Sequence, residues 1–188
     1  PACSCRRQPK YTRYSEIMIG YFDTLITLIG YTRTQEEFNT YFQQAEARFA
    51  KLHKLYDIYS SYEGINNLKT VNDMAGLKPV SVEHELLDLV KSAQKWTLSG
   101  HGKTNIALGP VLNIWHQYRR EGLNNPQSAQ LPSLKELEAA AKYSDARNII
   151  IDEQGGTVYL RERGMSLDVG AVAKGYATEL VARELEAD

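Results

Sequence analysis

Two changes of hydrophobic period, from about two to about 3.6 and back, limit what this chain can fold into. The stretch EIMIGYFDTLITLIGY (16–31) is rich in β-branched and aromatic residues. Gly20 and the Phe22-Asp23 step are bulge or turn points, so it reads as one long bent strand or a hairpin. Thr34 and Glu37 form a T-x-x-E capping box. Phe38, Tyr41, Phe42, Ala45, Phe49, Leu52 and Tyr56 then recur at helical spacing, which predicts one amphipathic helix to about Ile58. A loop with a short helical turn follows over 60–76, and Ser81 is expected to cap a second helix through about Leu98. A second loop, SGHGKTNIALGP (99–110), leads to a third helix, VLNIWHQYRREGL (111–123). Ser133 caps a fourth, SLKELEAAAKY (133–143). NIIID (148–152) and TVYLRER (157–163) read as strands joined through Gln154-Gly155-Gly156, MSLDV (165–169) as another strand, and a last helix starts near Ala171. Strands, then helices, then strands and a helix make an α+β arrangement with a mostly antiparallel sheet and packed helices.

Composition narrows the function classes. The chain has 188 residues, 43% of them hydrophobic, enough for one medium domain with a proper core. A formal net charge of −1 gives no electrostatic case for nucleic acid. The 12 tyrosines against 4 phenylalanines suit half-buried sheet faces and ring-stacking pockets. The two cysteines, Cys3 and Cys5, are separated by one residue, a spacing that strains a mutual disulfide and makes a poor zinc site. PACSCRRQPK reads either as a processed lipoprotein terminus, a small residue before Cys and then a basic tether, or as a tail with incidental cysteines. The domain expectation is a flexible tether over 1–12 and one domain over 13–188. The last segment, ELVARELEAD, stops inside a charged helix, and the chain is expected to be truncated at its C-terminus.

Generic motifs are few. There is no Walker A loop, no G-x-G-x-x-G after a strand and no G-x-S-x-G elbow. The histidines His53, His84, His101 and His116 lack H-E-x-x-H spacing; His53 and His84 read as packed or solvated helix residues, and His101 lies in a Gly-rich loop. The distinctive stretch is SLDVGAVAKGYATELV (166–181), with an acid, a glycine, a lysine and a second glycine at a strand-to-helix junction. A helix N-terminus offers unpaired N–H groups and partial positive charge, and Lys174 adds a full charge about one turn in, which suits a pyrophosphate. Asp168 could accept hydrogen bonds from a ligand or help hold a cation. The residues alone leave a second reading open: a solvated lysine, with glycines used for packing.

DVGAVAKGYA (168–177) resembles, at every position, the D-[LV]-G-[GA]-[IV]-[AG]-K-G-Y-A segment of the ApbE-type FAD:protein FMN transferases. TNIALGPVLNIW (104–115), YSSYEGINNLKTVN (59–72) and YFDTLITL (21–28) are similar to three further family blocks in the same order, so the resemblance runs from about Ile17 to Glu186. It implies an ApbE-like, T-fold-related domain. It also implies a Mg2+-dependent enzyme that cleaves FAD and transfers FMN to a Thr side chain of an acceptor protein bearing a D-x-x-[ST]-G-[AS]-T-like motif. The alternatives are an FAD pyrophosphatase giving FMN and AMP, and a non-catalytic flavin-binding protein.

Carried over residue by residue, the resemblance assigns FAD contacts to Phe22, Tyr62, Asn105, Ile106, Ala107, Asp168 and Lys174, and a backbone-carbonyl Mg2+ ligand to Ala171. Phe22 stands where the family often has Met, Asn66-Asn67 where it has Ser-Glu, and Asn105 where an acid is common. The family's C-terminal part, with the Asp and Thr metal ligands and a His-bearing segment, has no counterpart here, so the catalytic residues are unassigned and the 188 residues alone are expected to be inactive. The family's usual workplace also implies an exported protein anchored on the outer face of the cytoplasmic membrane by a lipid on Cys3.

Overall fold

The computed structural model describes residues 10–100 and 103–187; Cys3, Cys5 and His101 lie outside them. The chain divides into two compact units, one holding the residues up to His53 and those from Ala177 on, the other running from Lys54 to Tyr176.

The first unit contains an antiparallel hairpin of β1 (Thr12–Tyr21) and β2 (Thr24–Thr32), so the first stretch is a hairpin rather than one bent strand. Even-numbered side chains share one face, where Tyr14 pairs with Gly30 and Met18 with Ile26. That face packs on α1 (Gln35–Tyr56), with the Tyr14 ring stacked on Phe38 at 5.6 Å. The odd-numbered Ile17, Ile19, Leu25, Ile29 and Tyr31 are exposed. A two-stranded ribbon is marginal by itself, so the packed face carries its stability.

The strands are joined by Phe22 and Asp23, both left-handed (φ 53° and 50°), the geometry a two-residue hairpin loop needs to match the strand twist. The irregularity between Met18 and Tyr21 falls at Gly20, whose φ is 96°. Because a non-glycine residue is disfavoured in this region, Asp23→Gly should stabilise the protein by about 0.5–1 kcal/mol, net of the extra chain entropy. A thermal melt checks this, and an unchanged or lower Tm would count against the loop geometry.

Thr34 caps α1 through its hydroxyl, which accepts from the Glu37 N–H (3.2 Å). Glu37 returns a carboxylate to the Arg33 N–H (2.8 Å), one residue before the usual capping-box position. Phe38, Ala45, Phe49 and Leu52 are buried at helical spacing, and Arg48 meets Glu184 in a two-pronged ion pair (2.6 and 2.7 Å). His53 is half-buried: its Nδ1 accepts the Phe22 N–H at 3.2 Å and its ring meets the Phe22 ring edge-on.

The second unit is a three-stranded antiparallel sheet in the order β3-β5-β4 with helices packed on it. Its strands are β3 (Val80–Ser81), β4 (Ile149–Asp152) and β5 (Thr157–Leu160), and its helices include α2 (Leu68–Asp73), α3 (His84–Ser99), α4 (Gly109–Asn124) and α5 (Leu134–Ala141). Asn67 is fully buried as the cap of α2, its Oδ1 accepting from the Thr70 N–H (3.1 Å) while its Nδ2 donates to the Ser60 carbonyl (2.8 Å). Leu86, Leu89 and Val90 of α3 join Val158 and Leu160 in the core. On α3, His84 is solvated and lies 3.2 Å from Asp88. Ser133 and Glu136 complete the capping box of α5, and the Ser133 hydroxyl and amide hold the Glu136 carboxyl below its ordinary range.

Two expectations are corrected. Ser81 does not cap α3; it pairs with Thr157 in the ladder, its carbonyl accepts from Asn66 Nδ2 (2.9 Å), and Glu83 takes the N-cap position, where its side chain makes no capping hydrogen bond to the helix. Met165–Val169 is not a strand. Met165, Leu167 and Val169 are buried while Ser166 and Asp168 are half-buried, the alternation of a strand. Its backbone partners, however, are a side chain and a loop carbonyl. The last helix, α6 (Ala173–Ala187), starts two residues later than expected.

Candidate functional site

The distinctive stretch of the sequence sits on an extended segment held in place by single hydrogen bonds. Asn72, in α2, grips it like a neighbouring strand: its Oδ1 accepts the Leu167 N–H (2.7 Å) and its Nδ2 donates to the Leu167 carbonyl (3.0 Å). One residue on, the Asp168 N–H donates to the Ile106 carbonyl (2.8 Å). Ile106 and Ala107 are themselves buried in a single 3-10 turn, which Asn105 caps by accepting the Ala107 N–H (2.9 Å). The Asn105 Nδ2 donates to the Ser144 carbonyl (2.8 Å), so an amide here anchors the loop by donating, which a carboxylate in its place could not do. Asn105, Ile106 and Asp168 are therefore brought together.

The Asp168 side chain is only 13% exposed. Its Oδ1 accepts the Gly170 N–H (2.8 Å), and its Oδ2 lies 3.7 Å from His116 Nε2. The turn over 170–172 then closes on Val169, whose carbonyl accepts from both Val172 (2.9 Å) and Ala173 (2.8 Å). Ala171 and Lys174 are exposed on this turn and the first turn of α6. Because the amides of Gly170, Val172 and Ala173 are used inside the junction, it offers an anion fewer N–H groups than a bare helix end would. Gly175 has open space where a Cβ would sit, so no part of the described chain requires a glycine there.

Tyr62 is held by contacts of its own, with no hydrogen bond or ring contact to the junction among the described residues. Its hydroxyl donates to Asp57 Oδ2 (2.8 Å), Lys54 Nζ stands 5.8 Å over its ring, and burial together with the adjacent Asp57 carboxylate pushes the phenol above its ordinary range. Phe22 is in the first unit, in the hairpin loop against His53.

Sequence reasoning missed Tyr59, Asn72 and His116. The Tyr59 ring meets His116 edge-on at 6.2 Å, and so joins the row that ends at Asp168. Tyr59 and Asn72 also line a cavity of about 310 Å³, together with Asp73, Asn113 and Ser166. That volume is at the lower end for ligand pockets, which start near ~300 Å³. His116 directly follows the TNIALGPVLNIW block, a signal that was available but carries no spacing rule.

The donor set does not make a metal site by itself. Among the described residues no three His, Cys, Asp or Glu side chains come together. Mg2+ takes six hard oxygen ligands, commonly including one or two carboxylates and substrate phosphates. Ala171 is exposed, and a backbone carbonyl there is chemically suitable as one of them, no more.

Comparison with known proteins places this geometry. The chain is 27% identical over 140 residues to the FAD:protein FMN transferase of Klebsiella pneumoniae (strain 342), an alignment covering 72% of this chain and 42% of that protein. It is 27% identical over 193 aligned positions to the Treponema pallidum (strain Nichols) protein of the same name, covering 98% of this chain and 49% of the relative. The chain thus spans less than half the length of these curated relatives. In fold it is similar to the apo form of the Pseudomonas stutzeri flavinyl transferase ApbE, with a TM-score of 0.75 at 20% identity, over 95% of this chain and 54% of that one. The ApbE family itself matches residues 22–188. That span takes in the hairpin loop, the capped turn and the Asp168–Lys174 junction, and the chain belongs to the ApbE family.

Proposed function

We propose that the protein to which this chain belongs is an FAD:protein FMN transferase. Family membership over residues 22–188 carries the reading. In the reaction, the Thr hydroxyl oxygen of an acceptor protein attacks the FMN phosphorus of FAD and gives up its proton. The pyrophosphate P–O bond breaks, and AMP leaves with the bridging oxygen. A bound Mg2+ would neutralise charge developing on that oxygen.

This chain's residues have narrower tasks. Asp168, fixed between the Ile106 carbonyl and the Gly170 amide, supplies an oriented carboxylate to the nucleotide. Asn105, Ile106 and Ala107 form the loop wall through their backbone. Lys174 provides positive charge toward the pyrophosphate, and the Ala171 carbonyl one metal ligand. Tyr62 offers a ring for stacking beside the flavin. The protein is exported and lipid-anchored on Cys3 in this reading, which mass spectrometry of the native N-terminus tests.

The deciding experiment incubates the full-length protein with FAD, Mg2+ and an acceptor peptide of the D-x-x-[ST]-G-[AS]-T type. In-gel flavin fluorescence on the acceptor is the expected result. Free FMN and AMP would mean a pyrophosphatase, and neither product a binding protein. In the same protein, Lys174→Ala should weaken FAD binding by about 1–3 kcal/mol, the range for a hydrogen bond to a charged group, with little change in Tm. An unchanged titration would remove Lys174 from the site.

A further inference from the structure

The stripe His116, Arg119, Arg120, Leu123 and Asn124 on α4 follows the i, i+3, i+4, i+7, i+8 spacing of a single helix face, and these five residues line one surface depression. Neighbouring residues of α4 are otherwise engaged: Gln117 donates to Glu121 (3.0 Å), and the Tyr118 hydroxyl bonds Glu136 (3.2 Å). Among the described residues, Arg119, Arg120 and Asn124 have no such side-chain partners. Arg48, Arg147 and Arg183 each meet a carboxylate within 2.7 Å, whereas among the described residues no carboxylate lies within ion-pair distance of Arg119 or Arg120. Complementing the helix dipole explains little here, because neither arginine lies in the last turn of α4. Nor does it account for Leu123, which is 70% exposed beside them. At its other end the stripe reaches the junction, because His116 Nε2 is 3.7 Å from Asp168 Oδ2.

We infer that this face of α4 docks the acceptor polypeptide, binding an acidic side chain at Arg119 and Arg120 and an apolar one at Leu123, and leads it toward Asp168. The inference rests on the transferase reading for the identity of the occupant. Charge complementarity favours that occupant: two arginines without a carboxylate partner among the described residues attract an acidic segment. An exposed leucine adds nothing to the binding of a free phosphate, but it does fit a peptide side chain.

The test compares wild-type full-length protein with Arg119→Glu/Arg120→Glu, using an acceptor peptide with an acidic flank, labelled with fluorescein for binding and unlabelled for transfer. Circular dichroism and Tm should be unchanged, since both residues are exposed. The expected result is a loss of peptide affinity and a rise in KM for the acceptor of roughly tenfold or more, with KM for FAD unaltered. A peptide whose acidic flank is replaced by lysines should bind the variant better than the wild type. If the wild type binds the acidic peptide but transfers nothing, the docking face stands and the transferase reading falls. Four outcomes overturn the docking face: unchanged affinity and KM, a shift confined to FAD, no peptide binding by wild type, or a loss seen only with anionic phospholipid vesicles.

Discussion

Replacing Gly109 by alanine should destabilise the protein by about 3 kcal/mol, at the upper end of the range for overpacked core positions. Gly109 is the first residue of α4, is buried, and has ordinary helical backbone angles, so conformational freedom is not why a glycine is there. Space is the reason. A Cβ on this residue would stand 2.4 Å from the Ser166 carbonyl oxygen and 2.4 Å from its Oγ. The hydroxyl can rotate away; the carbonyl belongs to the extended segment that Asn72 and Ile106 hold one and two residues on. The clash must therefore push α4 away from the segment or displace Asp168. Urea denaturation should show a lower midpoint with an unchanged slope. The double variant Gly109→Ala/Ser166→Ala separates the two contacts: it removes the hydroxyl but not the carbonyl, so most of the loss should remain. Full recovery in the double variant would mean that the backbones do not approach this closely.

The same segment explains what could be read from the sequence and what could not. The strand or hairpin over 16–31, the helix after Thr34, the helix cap at Ser133 and the β4–β5 pair rest on signals within a few residues of each other, and each has its counterpart in the fold, the first as a hairpin. Ser81 was misplaced because its backbone is claimed by Thr157, far along the chain. Met165–Val169 has the alternation of a strand because it is buried on one side only. Whether such a segment pairs with a strand or with a side chain depends on a residue 95 positions away, and period two says nothing about it. The candidate site divides in the same way. DVGAVAKGYA is contiguous, so the junction was legible, but Tyr59 and His116 reach it only through the fold. Tyr62 and Tyr59 are three residues apart in one loop, and no local rule says which of them stands beside His116.

Asn72→Ala tests the other support of that segment and should cost about 2–4 kcal/mol. Two backbone groups of the buried Leu167 lose their partner at once, its N–H and its carbonyl, and each unsatisfied group costs about 1–3 kcal/mol, less where water can reach it. The cavity lined by Asn72 gives water partial access, which keeps the sum below the upper bound of the two losses. The effect is also local. Hydrogen exchange at the Leu167 and Asp168 amides should quicken more than at the amides of β4 and β5, because the segment loosens before the sheet does. Asn72→Asp separates geometry from chemistry: a carboxylate can still accept the Leu167 N–H but cannot donate to the Leu167 carbonyl, and its oxygen would face that carbonyl at close range. It should therefore rescue little of the loss. In the full-length protein, both variants should weaken FAD binding through the displacement of Asp168, although Asn72 is assigned no contact with the nucleotide. Uniform acceleration of exchange across the sheet, with Asp168 no more affected than Val158, would show that Asn72 supports the unit as a whole and does not specifically position the junction.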